Sequence, residues 1–275
     1  MKIWKFGTKE PSTGEPKEET ITKDNVRLVE VCEIEHEHTK TVRSVSVSPN
    51  GGMIAMGSFD ATISIIDKQG SSYNCVTILE GHENEVKSVA FHPYENILAS
   101  CSRDTSVWLW DFDEDLEFEC LETLVEHSED VKYVQFVPNL VDQQSKKLVS
   151  TSYDNSVKVW DCDSDGEFFC LQTLQDHSDT VWAACFSDDG KLMFTCSADS
   201  TIRVYEMDEE GKFSFVLNIS GYHELPIYSV HYSSKLGVLV SAGGDDSLIF
   251  YNVGKNEEGE VQANLIEKKV NFQNL

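Results

Sequence analysis

The stretch GHENEVKSVAFHPYENILASCSRDTSVWLWD, residues 81–111, contains a histidine, His82, an aspartate 22 residues later, Asp104, and a tryptophan six residues beyond that, Trp110. The same 22-residue step runs from His38 to Asp60, from His177 to Asp199 and from His223 to Asp245, and it stretches to 27 from His127 to Asp154. Ile66, Trp160, Tyr205 and Tyr251 stand where Trp110 does, and successive aspartates lie 44, 50, 45 and 46 residues apart. Between these landmarks, VKSVAF (86–91), ILASCS (97–102), SVWLWD (106–111) and FECLETL (118–124) are short runs of β-branched and aromatic residues separated by turn residues. Such runs predict four strands per unit, a to d, from inner to outer.

Self-similarity at a period of roughly 40–50 residues, with four strands per unit, predicts an all-β fold, a WD-repeat β-propeller. Each blade of such a ring buries its apolar faces only on its neighbours, so residues 1–275 read as a single domain. The ends depart from the pattern. MKIWKF (1–6) matches the end of a repeat, with Ile3 and Trp4 aligned to Leu109 and Trp110, and a flexible polar loop is expected over residues 7–25. VRLVEVCEI (26–34) then reads as a d strand, and VQANLIE (261–267) as the d strand of the last unit. Five complete blades and a half-blade are therefore expected. A ring short of strands leaves apolar faces and a strand edge uncovered, so either the sequence is part of a longer reading frame or another segment completes the ring. The extra length of the third repeat falls in NLVDQQSKK (139–147), where a longer a–b loop absorbs it.

Acidic residues outnumber basic ones 48 to 22, for a net charge of −26, which disfavours nucleic acid and anionic membrane as partners. The acid gathers in DFDEDLEFE (111–119) and DCDSDGEFF (161–169), read as solvated hairpin tips. No apolar signal segment opens the chain and no run reaches the about 18–20 apolar residues of a membrane span, so a cytoplasmic or nuclear protein is expected. Cys75, Cys120 and Cys170 each stand seven residues before a repeat histidine and recur because the repeat does. Without a paired-cysteine motif they predict buried, reduced thiols, with neither a metal nor a cofactor.

Within a blade, the histidine, a Ser or Thr four residues before the aspartate, the aspartate and the tryptophan can form a buried hydrogen-bonded chain in which every polar group finds a partner. Complete sets are His82, Ser100, Asp104, Trp110 and His127, Ser150, Asp154, Trp160. The His177 and His223 sets keep Thr195 and Ser241 but end in tyrosine, while the His38 set, with Met56 and Ile66, reads as degraded. Histidine, serine and aspartate together also suggest a hydrolase. The trio repeats, however, at positions the fold uses internally, so a non-enzymatic protein is expected.

Two repeat positions point to the narrow end of the central channel. The residue opening strand a is Arg43, Lys87, Lys132, Trp182 or Tyr228, and the residue before each aspartate is Phe59, Arg103, Tyr153, Ala198 or Gly244. Two readings are open. The long side chains pair with Glu85 and Asp130, two residues earlier in their repeats, as ordinary surface ion pairs. Alternatively, Arg103, flanked by Lys87 and Lys132, holds a carboxylate through two parallel bonds while Tyr153, Trp182 or Tyr228 receives an aromatic side chain, as suits an acidic or C-terminal peptide.

GHENEVKSVAF (81–91), CSRDTSVWLW (101–110) and FECLETLVEHSEDVKYV (118–134), continued by STSYDNSVKVW (150–160) and HSDTVWAACF (177–186), resemble the WD-repeat scaffold of the cytosolic iron-sulfur protein assembly machinery, and the resemblance covers most of residues 28–255. It implies a seven-bladed propeller serving as the docking subunit of the targeting complex that delivers clusters to cytosolic and nuclear apoproteins, without holding the cluster itself. The partners implied are the other subunits of that complex and client apoproteins. The arginine of the family's CSRD segment is implicated in that role, and Arg103 matches it. This chain departs from the family in its first and last blades. The rival expectation is a WD-repeat adaptor of another complex, a ubiquitin-ligase substrate receptor or chromatin reader, which fold alone does not separate.

Overall fold

A computed structural model describes residues 2–8, 26–34, 36–70, 72–138 and 145–270. Its first sheet has two strands, β1 (Lys2–Thr8) and β2 (Val26–Glu33). Five four-stranded sheets follow. The first is β3 (Val42–Val47), β4 (Met53–Ser58), β5 (Ile63–Gln69) and β6 (Ser72–Leu79); the second is β7 (Val86–Phe91), β8 (Ile97–Ser102), β9 (Val107–Phe112) and β10 (Phe118–Leu124). The third holds β11 (Val131–Phe136), β12 (Leu148–Ser152), β13 (Val157–Cys162) and β14 (Phe168–Leu174), and the fourth β15 (Val181–Phe186), β16 (Leu192–Ser197), β17 (Ile202–Met207) and β18 (Phe213–Ile219). The fifth is β19 (Ile227–Ser233), β20 (Val238–Gly243), β21 (Ser247–Lys255) and β22 (Val261–Val270). Every sheet is an antiparallel meander, and no helix occurs among the described residues.

The core lies between sheets. Met53, Ala55, Ile63 and Ile65 of the first sheet pack against Val86, Val89, Phe91 and Leu98 of the second, and the same arrangement joins each later pair. Fully burying one such side chain stabilises the fold by about 1.5–3 kcal/mol. The first strands β3, β7, β11, β15 and β19 lie beside one another in succession, as the inner strands of propeller blades do. Space there is tight. A Cβ on Gly57 would stand 2.7 Å from Val86 Cγ1 of the next blade, and small residues, Cys101 and Cys196, occupy the same register in later blades. On β3, by contrast, Val45 and Val47 are exposed, although Val89 and Phe91 in the same register of β7 are buried against the preceding sheet.

Two bulges recur and position the functional side chains. Between strands c and d the register shifts at Ile65/Ile66, Cys120/Glu122, Val159/Trp160, Val204/Tyr205 and Phe250/Tyr251. The pair β1–β2 shifts at Ile3/Trp4, with Trp4 opposite Glu30 and Ile3 opposite Cys32, so its backbone repeats a c–d hairpin as the alignment of Trp4 with Trp110 predicts. Gly7 and Thr8 belong to β1, so the polar loop expected from residue 7 starts later, and residues 9–25 lie outside the described residues. In the third blade, residues 139–144 of the longer a–b loop also lie outside them.

The outer-strand cysteines correct the sequence reading. Cys75 and Cys120 are exposed and Cys170 half-exposed, because a d strand has no further strand outside it; among the described side chains the buried thiols are instead Cys101, Cys185 and Cys196. Burial pushes those three thiols far above the ordinary cysteine value, away from the reactive thiolate.

Candidate partner-binding site at the channel mouth

The mouth is held from beneath by the repeat histidines. His82 Nδ1 lies 2.8 Å from Asp104 Oδ2 and its Nε2 2.8 Å from Ser100 Oγ, which also accepts Trp110 Nε1 at 3.0 Å. In the next blade His127 lies 2.8 Å from Asp154 and 2.7 Å from Ser150, whose hydroxyl accepts Trp160 at 2.9 Å. His177 and His223 keep their aspartates and their Thr195 and Ser241 partners, while Tyr205 donates its hydroxyl to Asp176 at 3.1 Å.

The His38 set lacks the aromatic member at Ile66, as expected, but its histidine stays fully bonded. With Met56 unable to bond, Nε2 of His38 finds Ser64 Oγ at 2.8 Å on the neighbouring strand β5, and Nδ1 stays 3.2 Å from Asp60. The sequence reading also missed a hydroxyl two residues after each aspartate. Thr62, Ser106, Ser156, Thr201 and Ser247 donate to that carboxylate at 2.5–2.7 Å. Between aspartate and hydroxyl sits a residue of positive φ, such as Thr105 at 72° or Asn155 at 68°, which turns strand b into strand c. Burial pushes Asp60, Asp104, Asp154, Asp199 and Asp245 up, but hydrogen bonds from that hydroxyl and the main chain, joined by the histidine at all but Asp60, outweigh it and hold each carboxyl well below its ordinary value.

Although histidine, serine and aspartate meet in hydrolase-like order, Ser100 and Ser150 are buried and already accept an indole N–H, so no substrate carbonyl reaches either hydroxyl. Among the described residues no three His, Cys, Asp or Glu side chains are grouped to hold a metal ion.

Above this layer, the a-strand bulge falls at Val42/Ser44, Val86/Ser88, Val131/Tyr133, Val181/Ala183 and Ile227/Ser229. Arg43, Lys87, Lys132, Trp182 and Tyr228 are therefore the extra, unpaired residues, which a bulge swings off the sheet's regular faces. Each b–c turn is tied to that point. Arg103 N–H donates to Glu85 O at 3.0 Å, Tyr153 N–H to Asp130 O at 2.9 Å and Gly244 N–H to Pro226 O at 2.8 Å, setting the two series of mouth residues side by side.

Lys87 pairs with a neighbouring ring, and from Arg103 to Tyr228 the side chains form one chain of contacts. Lys87 Nζ lies 4.4 Å from the Phe59 ring centre. Arg103 reaches Glu85 Oε1 at 3.3 Å and Asp130 Oδ1 at 3.9 Å, and Lys132 Nζ lies 3.0 Å from Asp130 Oδ2. The same ammonium lies 5.0 Å from the Tyr153 ring and 5.3 Å from the Trp182 ring, contacts of the cation–π kind. Trp182 meets Tyr228 edge-on at 5.3 Å, and Tyr228 with Leu225 closes over Gly244, where a Cβ would stand 3.2 Å from the phenol ring. Arg43 is exposed on β3, and none of these described contacts reaches it.

The ion pairs to Glu85 and Asp130 expected of the first reading are present, and Arg103, Tyr153 and Tyr228 remain open to solvent. Burial, with Lys132 and Arg103 nearby, lowers the Lys87 ammonium against the opposing pull of Glu85 and Asp130. A hydrogen bond to its own main chain, aided by Lys87 and Arg103, lowers the Glu85 carboxyl, so it is ionised at neutral pH. The mouth therefore grades from three cations and two carboxylates over the second and third blades to aromatic and apolar groups over the fourth and fifth.

Repeated sheets of this register, with a buried His–Asp pair under each b–c turn, define a WD-repeat propeller. The chain belongs to the WD40 family (WD domain, G-beta repeat), whose model matches residues 30–67, 73–111, 118–161 and 168–206, more than half of the chain. Each matched segment begins on the d strand of one sheet and ends at strand c of the next, so the sequence repeat is offset from the blade and links neighbours covalently. Similar relatives are the probable cytosolic iron-sulfur protein assembly protein 1 of Kluyveromyces lactis, 48% identical over 85 residues (28% of this chain, 26% of the relative), and that of Vanderwaltozyma polyspora, 41% identical over 117 residues (36% and 33%). A probable cytosolic Fe-S cluster assembly factor of Schizosaccharomyces japonicus is 49% identical over 79 residues (28% and 13%). In each case the match spans a third or less of the relative's length.

Proposed function

We propose that the chain is a non-catalytic scaffold of cytosolic iron-sulfur protein assembly, working in the cytoplasm and docking assembly partners and client apoproteins at its channel mouth. The observation that carries this reading is the gathering of Arg103, Lys132, Tyr153, Trp182 and Tyr228 into one contact chain, on a protein whose relatives are named for that process. A cation at one end and exposed aromatic faces at the other suit a peptide segment that pairs a carboxylate with a large apolar side chain. The repeated trios serve the blades rather than chemistry, since their serines are sealed. Docking then works by placing partners together, with affinity gained from simultaneous contacts.

Affinity purification from cells of the unmodified protein and of Arg103→Glu tests the reading. Recovery of iron-sulfur assembly factors or iron-sulfur enzymes, weakened by the charge reversal, is expected. Recovery of ubiquitin-ligase or histone partners instead, or indifference to the reversal, contradicts it.

A further inference from the structure

The three cations over the second and third blades differ in freedom. Lys132 is 11% exposed, bonded to Asp130 at 3.0 Å and walled by two aromatic rings, whereas Arg103 is 56% exposed and bound only through longer contacts of 3.3 and 3.9 Å. Lys87 is half-buried against Phe59. The guanidinium of Arg103 is thus the movable cation and the two ammonium groups form its fixed surroundings. Glu85 faces it with one oxygen, while its other oxygen, Oε2, is shielded from solvent and has no hydrogen-bond partner among the described residues.

We propose that Glu85 is a specificity-determining residue of the docking site, an internal carboxylate that occupies Arg103 until a partner's carboxylate displaces it. This inference rests on the reading of the mouth as a carboxylate-binding site. An incoming acid must exchange one Arg–carboxylate contact for another, which favours groups presenting two oxygens to the flat guanidinium over simple anions. Because the resting pair is exposed and long, it restrains Arg103 weakly, so the exchange is readily reversible. Asp130 plays a different part: it holds Lys132 in place and touches Arg103 only at 3.9 Å.

The test measures fluorescence anisotropy of fluorescein-labelled hexapeptides, each pairing aspartate or glutamate with tryptophan or tyrosine, on the full chain and on Glu85→Gln, Arg103→Gln and the double variant. Glu85→Gln is expected to tighten binding about two- to fivefold, the range an exposed ion pair holds, with an unchanged melting temperature. In the Arg103→Gln background the same change is expected to do nothing, because the competitor has lost its arginine. Equal tightening in both backgrounds would mean that Glu85 acts only through the general field, and no tightening in either would mean that it does not compete; both overturn the inference while leaving Arg103-dependent docking intact. Failure of every peptide to bind the unmodified chain overturns the carboxylate reading beneath it.

Discussion

Replacing Asp154 by alanine should unfold the third blade more readily, and the size of the effect follows from what the carboxylate holds. Its Oδ2 accepts from His127 Nδ1 at 2.8 Å and Ser128 N–H at 3.1 Å, and its Oδ1 from Ser156 N–H at 3.0 Å and Ser156 Oγ at 2.5 Å. Ser128 is exposed, so water replaces that bond, but His127 and Ser156 are buried. Each buried site left unmet costs about 1–3 kcal/mol, so the two together give roughly 2–6 kcal/mol. For a chain of this size that lowers the melting temperature by roughly 3–10 °C. Asp163→Ala is the matched control. That carboxylate also accepts two N–H groups, from Asp165 and Glu167, but on an exposed hairpin tip, where the loss should stay below about 1 kcal/mol. Thermal unfolding followed by circular dichroism compares them. A melting temperature for Asp154→Ala within about 2 °C of the unmodified protein would refute the argument that these chains hold the blades together.

Two further outcomes follow from the same layer. Ser64→Ala should cost about 1–2 kcal/mol by stripping His38 Nε2 of its partner, measured by urea unfolding; no change would mean that the first blade does not rely on the substitute hydroxyl. The five repeat aspartates are held below their unfolded value of about 3.9, so they contribute stability above that pH and lose it as pH falls through their folded values. Unfolding monitored against pH should therefore steepen below about pH 4, and a flat profile from neutral pH to pH 3 would contradict their role.

The repeat landmarks made most of the fold legible. The step from histidine to aspartate to aromatic is a step from one bonded group to the next, so counting residues located strands, turns and blades, and the alignment of Trp4 with Trp110 found the β1–β2 hairpin. The rescue of His38 by Ser64 was not legible, because the substitute hydroxyl comes from a neighbouring strand and leaves no trace in the spacing around Met56. The outer cysteines misled for a related reason. Periodicity shows that Cys75 and Cys120 are equivalent, not which face of the last strand they occupy. For the mouth, counting five residues from each histidine found Lys87, Lys132, Trp182 and Tyr228, yet the physical cause, a bulge that frees one residue of strand a from pairing, appears only in the register. Arg43 obeys the same count but joins none of the described contacts, and the ion pairs of Arg103 needed distances to be seen.

Photocrosslinking from the mouth tests the central claim most directly. Tyr153, exposed in the b–c turn of the third blade, is replaced by benzoylphenylalanine in cells, with Phe169, exposed on the outer strand β14 of the same blade, as the comparison position. Docking at the mouth predicts that iron-sulfur assembly factors or their client proteins crosslink to position 153 and that Arg103→Glu abolishes the product. Crosslinks to those proteins from position 169 alone would contradict it.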